Sequence, residues 1–465
     1  MAPRFTRRAL AAGALAAPFA RHADSLAAQP ALTGQPAWPG DPLYEETRWV
    51  FNARFAPAPA GIVFCFETAD VQNALAWAAA QGLPVCVRSG GHSYEGYSAL
   101  DGHLVIDLSE MDAIALDAAG NAVIGPGARM AGLYATLAEQ GVTIAGGTCP
   151  GVGLGGLALG GGIGFRARRD GLTCDTLLAA EVVLADGRVV TVSATEQPDL
   201  FWALRGGGGG NVGVVTSLTL RTTPAEDVAM ASIVWPWDEA PAVIAAWQDW
   251  APFTDDRLTS SLAFFRPDSG VIGFTGVLLG GVAELEQLLW PMLAVGSPSP
   301  VLRALTWAEA AVDLAGPNAP HATFKNASAF AARPLSPEAI AIAVAQMAAA
   351  PAPSNLVSFF SLGGAIATVP PGATAYPHRR ALFDIQYQAY WQEAWEAEAN
   401  IAWIDGFRAA LAPYTSGAYV NYVDADLPDW AVAYYGRNLN RLMRVKARYD
   451  PGNVFGGPQR VPGTG

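Results

Sequence analysis

Charge is scarce in this chain. Only 15% of its residues are charged against 51% apolar, and 28 Lys and Arg against 41 Asp and Glu leave a net charge of −13. So acidic a protein excludes nucleic acid as a partner, because that binding rests on neutralising phosphates. Four cysteines, Cys65, Cys86, Cys149 and Cys174, form no disulfide framework. Cys65 and Cys86 lie in apolar runs (IVFCFET and LPVCVRS) and read as core thiols, with a bond between them as the alternative. There is no CxxC and no paired-histidine spacing, so no metal site is expected. There is no GxxxxGK[ST]. No segment after the N-terminus supplies the uninterrupted apolar run of a membrane span.

What is abundant is glycine, 50 residues of it, in clusters, together with 14 tryptophans. A length of 465 residues predicts two domains. Residues 1–34 carry Thr6-Arg7-Arg8, a short alanine-rich apolar run and small residues near Ser25–Ala28, the order of a twin-arginine export signal. An exported location is therefore expected, with a frayed helix as the plain alternative.

Strands are expected at 61–67, 83–87, 103–108, 122–124, 177–184, 189–192 and 212–220, with helices at 69–81, 130–140 and 198–205. Beyond Pro224 glycine thins out, and helices at 283–293, 337–350 and 392–411 alternate with apolar strands at 271–279 and 356–362. The fold class read from this is α+β, with a sheet covered by helices on one face in the second half.

Gly151-Val152-Gly153-Leu154-Gly155-Gly156 matches GxGxxG. In a dinucleotide-binding Rossmann fold that loop opens a helix, whereas the following Gly160, Gly161, Gly162 and Gly164 argue against one here. Interspersed Val152, Leu154, Leu157 and Leu159 argue against a flexible linker. The remaining reading is a cradle of glycine loops whose backbone N–H groups approach an extended dinucleotide.

The stretch RSGGHSYEGYS (88–98) and the later GGTCPGVGLGG (146–156) together resemble the berberine-bridge-enzyme-like FAD-linked oxidases, of the vanillyl-alcohol-oxidase/p-cresol-methylhydroxylase superfamily. ARRDGLTCD (167–175), LRGGGGGNVGVVTSLTL (204–220) and the segment from Tyr419 to Phe455 extend the resemblance over nearly the whole chain. It implies a two-part FAD-binding domain of the PCMH type at 35–224, a substrate domain at 225–417, and a return to the FAD domain at 418–465. It also implies FAD attached twice, by His92 to the 8α-methyl and by Cys149 to ring carbon 6, since each linkage needs a nucleophile at an electrophilic flavin edge.

By the same resemblance, further cofactor contacts are expected from Arg88, Ser89, Gly90, Gly91, Ser93, Gly147, Thr148, Val152, Gly153 and Gly156, and from Asn211, Gly213, Val215, Asn421 and Asn453. Tyr422, second tyrosine of Tyr419-Val420-Asn421-Tyr422, is expected to be the base that takes a substrate hydroxyl proton, on a strand that turns it away from Asn421. A free tyrosine ionises near 10, so that role calls for neighbouring positive charge or hydrogen bonds. Gln386, which cannot act as a base, is expected to orient the substrate or the tyrosine. Val152 leaves room beside the flavin for O2, which favours an oxidase releasing H2O2 over a dehydrogenase with another acceptor. The expected substrate is a small molecule, a saccharide or a secondary-metabolite alcohol; a non-catalytic binding protein on the same fold is the competing class.

Overall fold

The computed structural model describes residues 30–315 and 322–463. The expected export signal falls mainly on residues 1–29, outside the described residues.

The N-terminal part is built on two sheets. Strands Gln35–Ala37, Gly61–Phe64, Leu104–Asp107 and Val85–Arg88 lie side by side in that order, the last three parallel. The helix Thr68–Gln81 makes the crossover from Gly61–Phe64 to Val85–Arg88. Its Val71, Ala74, Leu75 and Ala78 recur at helical spacing and are buried. A capping box between Glu67 and Asp70 starts it, and Gly82 in the left-handed region (φ 65°) ends it. The second sheet is antiparallel, in the order Ile114–Leu116, Ala122–Ile124, Val214–Leu220, Leu177–Val183, Val189–Ser193.

Beyond Val228 the chain forms one seven-stranded antiparallel sheet. Its order is Ser299–Leu305, Val228–Pro236, Val271–Leu278, Leu258–Phe265, Leu356–Ser361, Phe383–Trp391, Thr323–Ala331. Helices Ala240–Trp250, Val282–Leu288, Pro337–Ala348 and Ala397–Leu411 bury one face, with Trp247, Ile340, Ile404 and Phe407 meeting Phe264, Phe359, Ile385 and Tyr387 of the strands. The other face turns toward the N-terminal part. The fold is thus α+β, as the composition of the two halves predicts. The helix Leu439–Tyr449 then returns, placing Leu442 and Val445 in one core with Leu204 and Val212.

Two interlocks hold the parts together. Arg168, fully buried, donates to the carbonyls of Leu258 (2.9 Å), Pro252 (2.8 Å) and Thr254 (2.7 Å). Lys325, also buried, meets Glu95 (2.8 Å), Asp424 (2.6 Å) and Asp426 (2.7 Å). The other lysine of the chain, Lys446, is buried too, against Asp450 and the Asn211 carbonyl.

Three sequence expectations are corrected. The glycine-rich run does form a helix, Leu154–Gly160. Glycine's propensity cost is overridden by packing: Leu154, Ala158 and Leu159 are buried, and a Cβ on Gly155 would come within 2.9 Å of Pro126. The surrounding topology is still not a Rossmann fold, since the five-stranded sheet is antiparallel. Tyr419–Tyr422 is a turn, not a strand, closed by the Tyr422 N–H donating to the Tyr419 carbonyl (2.9 Å). The helix expected at 283–293 is broken into Val282–Leu288 and Trp290–Leu293, where Pro291 lacks the N–H a continuous helix needs. All four cysteines are free thiols, Cys65 and Cys86 buried. Among the described residues no helix is long and apolar enough to cross a membrane.

Candidate active site

The loop after Val85–Arg88 and the loop after Val142–Thr143 meet backbone to backbone. A Cβ on Gly90 would drive into the amide nitrogen of Gly153, and one on Gly153 into Ser89 and Gly90. His92 lies against the second loop, its Nε2 2.8 Å from where a Gly151 Cβ would sit, and stacks on Phe51 (4.1 Å, 17°). Cys149 stands two residues before Gly151. The Val152 N–H donates to the Cys149 carbonyl (3.3 Å), closing a tight turn over residues 149–152.

These loops border a cavity of about 470 Å³ that runs between the two parts. Both His92 and Cys149 line it, with Ser89, Gly90, Gly91, Ser93, Gly147, Thr148, Val152, Gly153, Gly156, Asn211, Gly213, Val215, Gln386, Asn421 and Tyr422. The Cys149 side chain is open to the cavity but ringed by protein. Burial pushes its thiol up, and a hydrogen bond from Thr148 partly offsets this.

Two expected residues do not reach the cavity. Arg88 sits opposite Asp107 in the parallel register, ion-pairs with it and donates to the Thr47 carbonyl (2.8 Å). A guanidinium buried in a strand needs that carboxylate, so Arg88 braces the loop from behind. Asn453 is exposed in a left-handed turn (φ 54°), and its carbonyl accepts from Arg460 (2.8 Å). Its part is to turn Phe455–Arg460 into the cavity wall.

The turn Tyr419–Tyr422 fits over the glycine helix. Asn421 donates to the Leu157 carbonyl (3.0 Å) and to the Tyr419 hydroxyl (2.9 Å), which also accepts from the Gly162 amide (2.7 Å). A side chain at Gly160 would collide with Asn421. Tyr422 stacks on Tyr94 (5.5 Å, 8°) and abuts Tyr419 edge-on (4.8 Å). Burial pushes the Tyr422 phenol well up, and Asp384, Tyr94 and Tyr419 add to this. The positive charge expected beside it is not among the groups acting on it; its strongest neighbour is a carboxyl.

The strand Phe383–Trp391 explains that neighbour. Alternation sends Phe383, Ile385 and Tyr387 into the helix-covered core, and Asp384, Gln386, Gln388 and Tyr390 to the opposite face. Asp384 is 2% exposed, its Oδ1 has no hydrogen-bond partner, and burial pushes its pKa up to about 8. Gln386 donates to the Tyr94 hydroxyl (3.1 Å). The sequence reading missed Asp384, Tyr94, Asn326 and Tyr390. The signal was present in the period-2 pattern around Gln386, which marks Asp384 and Gln388 as its face-mates.

Only glycine backbone lets two loops close on one another and still leave peptide groups facing a ligand, here beside an imidazole, a thiol and a tyrosine cluster. Residues of that kind fit an extended flavin dinucleotide, and they define a FAD-dependent oxidoreductase. Comparison with known proteins agrees. A family model described as FAD binding domain matches residues 59–193, and one described as berberine and berberine like matches 418–462. An FAD-linked oxidoreductase of Bacillus subtilis is 42% identical over 93% of this chain and 97% of its own. The chitooligosaccharide oxidase of Gibberella zeae is 32% identical over 91% of each. The solved glucooligosaccharide oxidase of Acremonium strictum, described with a 6-S-cysteinyl, 8α-N1-histidyl FAD, superposes with a TM-score of 0.86 at 30% identity, covering 93% of this chain and 97% of its own. The chain belongs to the berberine-bridge-enzyme-like FAD-linked oxidoreductases, enzymes that oxidise alcohol groups.

Proposed function

We propose that this protein is an oxidase of saccharide alcohols, with FAD attached through both His92 and Cys149. The observation that carries it is that Tyr422 lines one cavity with His92 and Cys149, with the buried Asp384 carboxyl the strongest charge acting on its phenol. When bound, FAD supplies the hydride acceptor and returns the electrons to O2 as H2O2.

The chain's own residues manage the proton. A buried phenol cannot wait as phenolate, since burial and Asp384 both oppose it. Tyr422 therefore takes the substrate hydroxyl proton while passing its own to the Asp384 carboxylate, whose raised pKa makes it a competent acceptor near pH 8. Tyr94 holds Tyr422 by stacking, and Gln386 holds Tyr94. Phe51, Phe324 and Tyr390 give the wall aromatic faces, and Asn326, Gln386 and Gln388 give it amides. Such a neutral surface suits a polyhydroxylated ring. Relatives that act on chitooligosaccharide and glucooligosaccharide support the same class. Val152, in the cavity wall with Cys149, supports O2 as acceptor over an alternative one. The twin-arginine-like segment supports export, which replacing Arg7 and Arg8 with Lys tests by fractionation.

Tyr422→Phe tests the mechanism. Flavin reduction by a saccharide substrate is expected to fall ~100-fold or more, while colour stays with the acid-precipitated protein. Unchanged reduction overturns the base assignment, and a pellet without yellow colour overturns covalent attachment. Substrate oxidation without peroxide in air points to the dehydrogenase reading.

A further inference from the structure

We propose that O2 reaches the flavin from behind the Thr148–Cys149 loop, by way of a small apolar void between the helices Met130–Ala138 and Trp307–Ala315. The proposal rests on the oxidase reading above and gives O2 a route separate from the substrate's.

The void is about 10 Å³, room for one water-sized molecule. Trp307, Ala311 and Leu314 recur at i, i+4 and i+7, so one face of their helix walls it, together with Tyr134 and Phe165. Gly147 and Thr148 also line it, and the same two residues line the main cavity. One stretch of backbone therefore borders both spaces. It is thin at Gly147, which has no side chain: a Cβ there would first meet the Leu157 methyls (3.1 and 3.3 Å), and Leu157 belongs to the main cavity wall.

The walls are held in place. Tyr134 stands edge-on to Trp307 (5.7 Å, 89°), and its hydroxyl donates to the Gly147 carbonyl (2.9 Å). The Arg166 guanidinium lies 5.0 Å from the Trp307 ring centroid. Ala311 and Leu314 are half-buried, so the void lies just under the surface. A water in it would find few partners, since the Tyr134 hydroxyl is committed and Trp307 Nε1 is enclosed without one. Apolar spaces of this kind stay dry and take up apolar gases, and O2 is such a gas.

The position suits the chemistry. Cys149 follows Thr148 directly, and its expected bond is to ring carbon 6, on the same side of the ring system as N5. O2 takes two electrons and two protons from the reduced flavin and leaves as H2O2, with the flavin oxidised again. Tyr94, Gln386 and Tyr422 line the main cavity where the substrate is expected, so a bound saccharide or its product closes that approach.

The test photoreduces the flavinylated enzyme and follows its reoxidation at graded O2 by stopped flow, for wild type, Ala311→Phe and Ala311→Ser. The phenyl ring fills the void, and Ala311→Phe is expected to lower the second-order rate constant with O2 by ~5-fold or more, with Ala311→Ser unchanged. Reoxidation by dichlorophenolindophenol, too large for the void, is expected to stay within about 2-fold in all three. Crystals frozen under argon pressure should hold argon in the wild-type void and none in Ala311→Phe. The proposal is overturned if Ala311→Phe reacts with O2 as the wild type does, if it slows the dye as much as O2, or if argon does not enter the wild-type void. Should Ala311→Phe fail to fold, Leu314→Trp takes its place, and the wild-type argon result still decides. Reduced wild type that does not reoxidise in O2 at all brings down the oxidase reading instead, and the proposal with it.

Discussion

Gly90 and Gly153 touch backbone to backbone, so that neither position has room for a methyl group. This contact brings the loop of His92 to the loop of Cys149. Gly90→Ala is expected to separate them, since the atoms in the way are the Gly153 amide and the Gly151 carbonyl rather than a yielding side chain. The expected result is a loss of about 2 kcal/mol or more of stability, and less covalently bound flavin, read as a lower 450 nm to 280 nm absorbance ratio in denaturant.

Asp384 should govern the acid limb of activity. It accepts a proton only when ionised, so the rate of flavin reduction is expected to rise with pH through about 8, where burial has placed its pKa. Asp384→Asn should remove that limb and lower the rate by ~100-fold. The same shift has a stability cost. A carboxyl whose pKa is raised on folding favours the folded state below its unfolded pKa, and that contribution is lost as pH climbs to the folded value. Asp384→Asn is therefore expected to melt higher than wild type near pH 8.

Lys325 should matter to assembly of the two parts rather than to chemistry. Its ammonium is the shared partner of Glu95 and Asp424, both buried. Burial alone would lower its pKa, but the surrounding carboxylates more than reverse this. Lys325→Met leaves those acids uncompensated and is expected to cost ~3–5 kcal/mol, measured by urea unfolding. The loss should shrink at low pH as Glu95, which burial already pushes up, takes a proton.

His378 sets an acid limit. It stacks on Phe330 (4.2 Å), bonds the Tyr434 carbonyl (3.0 Å), and is pushed down to about 4 by burial. Between pH 6.5 and about 4 the unfolded chain binds a proton that the folded protein does not. Stability should fall across that window by up to about 3 kcal/mol, and His378→Gln should flatten the slope in thermal melts.

Much of the site was legible because its residues are local in sequence. RSGGHSYEGYS and GGTCPGVGLGG each carry their nucleophile and their glycines within a few residues, and both line the cavity. Arg88 was misread because nothing local reveals that Asp107 lies beside it; strand register decides that. The segment Tyr419–Tyr422 has strand-like residues but is pinned as a turn by bonds to Gly162 and Leu157, far earlier in the chain. The glycine helix fails the propensity rule because Pro126 and Asn421 demand small residues where they press on it.

By itself, the sequence determined which nucleophiles are present, that glycine surrounds them, and that one half alternates strands with amphipathic helices. Those properties follow from side-chain chemistry and from periods of two and 3.6 residues. Only the tertiary structure decided that the buried Asp384 carboxyl acts on Tyr422, that Tyr94 stacks on it, and that Arg88 turns away from the cavity. Each depends on which strands pair and in what register, and a register is chosen by the whole core at once.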